Sequence, residues 1–116
     1  MKYIITEQQS DNLEKSLEKK SDRIFDIFTM LYPDYEIFGY EFNAVSEVYG
    51  DEDTLIFMYR WGREEFLVSA EFLNTLGDWI GNVYDENNRE MFEKLFTVFA
   101  KRHFGWNVEY VGRHYY

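Results

Sequence analysis

Apolar residues recur at helical spacing in the first third of the chain. Their separations of four, seven, four and three positions predict one amphipathic helix, whose stripe is Leu13, Leu17, Ile24, Phe28 and Leu31. Thr6 followed by Gln9 is a capping-box pattern, so we expect this helix to begin at residue 7. Pro33 should end the helix, because a proline disfavours the helical conformation of the residue before it.

The pattern then changes to alternation, which is typical of strands. Between residues 36 and 49 apolar positions alternate with polar ones. The apolar residues are Phe38, Tyr40, Phe42 and Ala44. This alternation predicts one half-buried strand over residues 36–49. Residues 54–61 and 65–69 predict two more strands, joined by a turn at 50–53 and a two-residue loop at 62–63. Three successive strands with short turns indicate an antiparallel meander.

Helical periodicity returns after the third strand. Ser69 can cap a short helix that ends at Gly81, and Asp85 can cap a last helix that ends at Gly105. Residues 106–111 alternate again as a fourth strand. The order α-β-β-β-α-α-β predicts a single α+β domain over residues 1–116. Its antiparallel sheet would combine the three-strand meander with the C-terminal strand, and its helices would pack on one face.

The charge of the chain is strongly acidic and unevenly distributed. The formal net charge is -10, and residues 34–53 contain seven acidic residues and no basic one. This balance argues against direct nucleic-acid binding, which relies on Lys and Arg at phosphates. An acidic surface gives solubility and also attracts basic partners. We therefore expect a protein partner, and a basic one if the charge takes part in the contact.

Several chemistries lack the residues that they require. The chain has no cysteine, which excludes disulfides and thiolate zinc sites and fits a reducing compartment. His103 and His114 are the only imidazoles, and no cofactor or nucleophile motif is present. We expect no cofactor and favour a non-enzymatic role. The opening MKYIIT is too short for a signal peptide or a membrane span, so a cytoplasmic protein without membrane contact is expected.

Two short stretches are the candidate contact residues. Asp51, Glu52 and Asp53 form an acidic triplet, and counting from Asp51 puts Ile56 and Gly62 where a calcium loop needs Gly and Glu. The triplet is therefore interpreted as a solvated turn or an acidic contact surface rather than a metal site. Tyr115 and Tyr116 are the candidate exposed aromatics, since tyrosine is common at interfaces.

The first helix suggests a further contact. If its N-terminal half projects from the domain, the stripe of Leu13 and Leu17 would favour a homodimer.

The opening residues 1–9, MKYIITEQQ, resemble the start of many small uncharacterised proteins of tailed bacteriophages. The resemblance implies a setting, namely a phage protein made in a bacterial cytoplasm, and no particular activity. In that setting the leading hypothesis is an accessory virion or host-takeover factor that acts by protein–protein contact. Two alternatives stay open: an inhibitor that imitates DNA, and a small hydrolase that uses carboxylates and a divalent metal.

Overall fold

The computed structural model describes the backbone of residues 2–40, 42, 44–81, 83 and 89–115, and side chains within these ranges from residue 15 onward. Three helices and five strands follow one another along the chain. They are α1 (Lys2–Leu31), β1 (Glu36–Tyr40), β2 (Val45–Asp51), β3 (Thr54–Arg60), β4 (Glu65–Ser69), α2 (Ala70–Ile80), α3 (Arg89–Phe104) and β5 (Tyr110–His114).

The first helix is longer than its sequence pattern predicts. It begins at Lys2 instead of residue 7, so the capping-box pattern does not mark its start. It ends at Leu31, as the position of Pro33 requires. Thirty residues give α1 a length of about 45 Å, which accounts for most of the longest dimension of the molecule, 53 Å.

The strands form one sheet in the order β1-β2-β3-β4-β5. The first four pair antiparallel as successive hairpins, and β5 pairs parallel with β4. The parallel pair follows from connectivity, because α2 and α3 carry the chain back before β5 begins. The predicted α+β class is thus confirmed, but the sheet has five strands in place of four, and its C-terminal strand is parallel to its neighbour rather than antiparallel as predicted.

The extra strand comes from the segment predicted as one strand over residues 36–49. The structure divides it into β1 and β2, which turn back on each other and pair with Phe38 opposite Glu47. Ala44 takes a positive φ of 49° in the connection, and its carbonyl oxygen accepts a hydrogen bond of 2.8 Å from the Trp61 amide. The prediction that Phe38 and Tyr40 are half-buried is wrong, because β1 is exposed along its whole length.

The two faces of the sheet have different surroundings. The covered face packs against the helices, and its central residues are Val48, Tyr59, Phe57, Phe66, Val68 and Val111. The open face carries two rows of residues paired across the strands. One row is Phe38, Glu47, Met58, Leu67 and Gly112, and the other is Tyr40, Val45, Arg60, Glu65 and Tyr110.

Phe57 lies at the centre of an aromatic core. Its ring centroid is 5.1 Å from Phe28 of α1, 5.5 Å from Phe72 of α2 and 5.2 Å from Phe99 of α3. It also stacks on Phe66 of β4 at 5.4 Å. One side chain therefore joins all three helices to the sheet. Many of the aromatic residues of the chain belong to this core.

The later elements agree with their local signals, apart from the last strand. The Ser69 hydroxyl accepts a hydrogen bond of 3.3 Å from the Phe72 amide, as predicted for a helix cap. Gly81 and Gly105 take positive φ angles of 86° and 74° after their helices. The predicted cap at Asp85 lies outside the described residues. The last strand begins at Tyr110, four residues later than the alternation from residue 106 predicts.

The two histidines take part in packing. The His103 ring stacks on Phe25 with centroids 4.3 Å apart, and its Nε2 lies 3.0 Å from Asp22 Oδ1. The same carboxylate of α1 accepts two hydrogen bonds, of 2.6 and 3.0 Å, from Arg102 of α3. His114 Nε2 lies 3.2 Å from the Ile56 carbonyl oxygen. Burial lowers the pKa of both imidazoles, which favours their neutral forms.

Candidate functional site

A cavity of about 620 Å³ opens where the end of α1 meets the outer strands of the sheet. We call it the edge cleft. Among the described residues, its lining combines aromatic rings with carboxylates and includes no basic residue. The rings are Tyr32, Phe38 and Tyr49, the carboxylates are Asp34, Glu36, Asp51 and Glu52, and Leu31, Pro33 and Gly50 complete the lining.

One wall of the edge cleft is the turn between α1 and β1. The Tyr35 amide donates a hydrogen bond of 3.3 Å to the Tyr32 carbonyl oxygen, which closes a turn with Pro33 in its second position. Proline suits this position because its ring fixes φ at the required value. The turn sends Tyr35 towards Phe28, with ring centroids 4.9 Å apart, and leaves Tyr32 and Asp34 to line the cleft.

The floor of the edge cleft depends on a glycine. A Cβ atom at Gly50 would lie 2.6 Å from Cδ1 of the Tyr32 ring, which is closer than real Cβ contacts allow. The absence of a side chain therefore lets Tyr32 lie directly on the backbone of β2. The register of β2 against β3 shifts between Tyr49 and Asp51, and this bulge surrounds the same glycine.

The wall on the open face is a pair of aromatic rings fixed by a carboxylate. The rings of Phe38 and Tyr49 meet edge to face with centroids 5.7 Å apart. The Tyr49 hydroxyl donates a hydrogen bond of 2.6 Å to Glu47 Oε2. This hydrogen bond, followed by burial and the charge of Glu47, raises the pKa of Tyr49 to about 12. The phenol is thus held protonated and its ring orientation is defined.

The edge cleft has an uncompensated negative charge. Within the described part of the chain, no ion pair includes a carboxylate of the cleft. The ion pairs join Arg60 to Glu65 and Arg102 to Asp22, and two more form along α3. Burial, and then the negative charges of Asp51 and Glu71, raise the pKa of Tyr32. The cleft therefore offers carboxylates for ion pairing and ring faces for cation–π contact, which together suit a guanidinium or ammonium group.

The structure divides the acidic triplet between two places. Asp51 ends β2 and lines the edge cleft together with Glu52 of the turn. Asp53 lines a separate shallow cavity of about 350 Å³ on the open face, beside Tyr49 and Met58. All three side chains are exposed, as expected of a solvated turn. Their role in partner binding stays a prediction.

The other predicted contact residues do not join this site. Tyr115 follows β5 and is 78% exposed, but three strand spacings, roughly 14 Å, separate β5 from β2. Tyr116 and the side chain of Leu13 lie outside the described residues. Leu17 is 7% exposed and belongs to the core, so the fold itself already covers this member of the predicted dimer stripe.

Sequence reasoning missed most of the cleft residues as a group. Asp34 and Glu36 stand in the acidic run that the sequence shows, but nothing local connects them with Tyr49. They come together because β1 and β2 form a hairpin that pairs Glu36 with Tyr49. Recognising the turn within residues 36–49 would have revealed this pairing.

Two features are absent from the described residues. No three of their histidine, aspartate and glutamate side chains converge so as to hold a metal ion. Of the helices in the described ranges, none combines the length and apolar composition needed to cross a membrane.

Comparisons with known proteins add no family. No protein-family model, no curated protein and no solved structure matches this chain.

Proposed function

We propose that this chain is a binding protein whose edge cleft receives a basic segment of another protein. The observation that carries the proposal is the composition of the cleft: four carboxylates and three aromatic rings line one cavity, and no lysine or arginine is among the described lining residues. Arginine and lysine are the protein side chains that satisfy both features, because they pair with carboxylates and lie over aromatic faces.

The distribution of charge supports the same role. A net charge of -10 attracts basic molecules over several ångströms, and an acidic cleft concentrates that attraction at one place. Following the resemblance of its N-terminus, we propose that the protein acts in a bacterial cytoplasm or a virion, as an accessory or host-takeover factor of a phage.

A charge-reversal pair tests the proposal. The probe is a synthetic peptide of alternating lysine and valine, and its affinity is measured by calorimetry at low and moderate salt. The combined change Asp51→Lys and Glu52→Lys should weaken binding by roughly tenfold or more, because it replaces attraction by repulsion at the cleft. Added salt should weaken binding to the unaltered protein.

The matched control applies the same change of charge elsewhere. Asp78 on α2 and Glu109 before β5 are both exposed and lie outside the cleft lining. The combination Asp78→Lys and Glu109→Lys gives the same net charge as the cleft variant. Equal loss of affinity in the two variants would show that only the overall charge matters, and the proposed function would then be wrong.

A further inference from the structure

The outermost strand of the sheet has a free edge. Among the described residues, β1 is first in the strand order and pairs with β2 alone, so alternate backbone amides and carbonyls along its other side face away from the sheet. Natural edge strands are often protected by lysine, proline or a bulge. β1 reads EIFGY and contains no lysine or proline, and the bulges of this sheet lie between β2 and β3.

The side chains of β1 would contact an added strand on both faces. Ile37 is 49% exposed, and Phe38 and Tyr40, on the open face, are exposed to a similar degree. A free strand edge and exposed apolar side chains beside it are the two features used when a peptide adds to a sheet. Main-chain hydrogen bonds supply affinity, and alternate side chains supply specificity.

Charge selects the occupant of this edge. Glu36, the first residue of β1, lines the edge cleft. The other carboxylates of the cleft therefore lie near the beginning of this strand. A second copy of the chain would bring another net charge of -10 to this side of the sheet. An extended segment with lysine or arginine would instead complement it, with a basic side chain entering the cleft next to Glu36.

We propose that β1 is a site of strand addition, and that its occupant is an extended basic segment in which lysine or arginine alternates with apolar residues. This inference rests on the proposed function and adds the mode of binding: the segment pairs with β1 through its backbone and fills the edge cleft with a cationic side chain.

Backbone methylation separates this mode from attraction by charge alone. Two copies of the lysine–valine peptide are made, one N-methylated on its lysine residues and the other on its valine residues. Each keeps all charges and side chains, but each loses the amide donors along one side of the extended peptide. Strand addition uses the donors of one side, so the affinities of the two copies should differ by at least about tenfold.

The outcomes distinguish the two proposals. If both methylated copies bind as tightly as the parent peptide, strand addition is wrong and the proposed function stands. If the parent peptide does not bind, both are wrong. If light scattering shows a dimer that resists the peptide and that Ile37→Lys dissociates, the occupant of β1 is a second copy, which also overturns the inference.

A matched pair of variants locates the contact on the protein. Ile37→Lys puts a positive charge on β1, whereas Trp79→Lys puts the same charge on α2 at a residue of nearly equal exposure, 48%. We expect Ile37→Lys to weaken the parent peptide several-fold and Trp79→Lys to leave its affinity within twofold. Equal effects of the two variants would contradict contact at β1.

Discussion

The two faces of the sheet are built from the same strands but differ in the burial of their side chains. On the covered face, Val48, Phe57 and Val68 stand side by side across three strands and are fully buried. On the open face, Phe38 and Glu47 stand side by side in the same way and stay accessible to solvent. Aromatic residues occur on both faces, so aromatic content alone does not identify the core.

The two faces differ in the residues that surround their aromatic rings. Rings on the covered face contact other rings from every helix, whereas those on the open face alternate with carboxylates such as Glu36 and Glu47. Burial of apolar area stabilises the first arrangement. The second keeps charges hydrated and leaves rings available to a partner. We therefore expect stability and binding to depend on separate sets of residues.

The largest expected effect is on the covered face. Phe57→Ala should lower the free energy of unfolding by about 3–5 kcal/mol, because it leaves a cavity among rings from all three helices. Phe38→Ala on the open face is the matched control and should lower it by about 1 kcal/mol or less. Urea unfolding followed by circular dichroism measures both. Similar losses would contradict the division of roles between the faces.

An intermediate effect on the free energy of unfolding is expected at Gly50, in the floor of the edge cleft. Gly50→Ala should lower the free energy of unfolding by about 1–3 kcal/mol, because the new methyl group must displace the Tyr32 ring. In a Tyr32→Ala background the same change should have little effect, since the ring is gone. The four proteins of this double-mutant cycle are compared by urea unfolding.

Equal losses in the two backgrounds would mean that the penalty arises from the backbone of the β2 bulge. The contact between Tyr32 and Gly50 would then not define the cleft floor.

The smallest expected effect is spectroscopic and concerns the open face alone. Tyr49, whose pKa is raised to about 12, stays protonated where ordinary phenols with a pKa of 10 ionise. Its hydrogen bond to Glu47 therefore contributes stability that is fully present below pH 10 and is lost as the pH rises towards 12. Ultraviolet titration of tyrosinate should show a step near pH 12 that disappears in Tyr49→Phe.

In Glu47→Gln the same step should move towards pH 10, since the negative charge beside the phenol is removed. An unchanged step in this variant would contradict the assignment of the shift to Glu47.

Local sequence signals predicted the helix ends that are marked by a proline, a capping serine or a glycine. Pro33 after α1, Ser69 before α2 and the glycines after α2 and α3 each have a physical effect that does not depend on distant contacts. The turn between β1 and β2 was missed because its letters, EFNA, contain neither glycine nor proline and continue the apolar alternation. Ala44 takes a positive φ there against its own preference, as tertiary pairing requires.

The candidate site could be predicted only in part for the same reason. Asp51 and Glu52 stood out as a charge run, but an acidic run does not specify what surrounds it. The Tyr32 ring and the Glu36 carboxylate reach these residues through the end of α1 and the pairing of β1. Such neighbours depend on strand register, which one sequence does not reveal when the apolar alternation continues through a turn.

The contact between Tyr32 and Gly50 has a consequence for the stage of folding at which the edge cleft forms. One wall of the edge cleft belongs to the end of α1 and its floor belongs to β2, so the two meet only after α1 has docked onto the sheet. A chain with a formed hairpin but an undocked helix has no cleft, so the proposed binding of a basic segment requires the completely folded molecule.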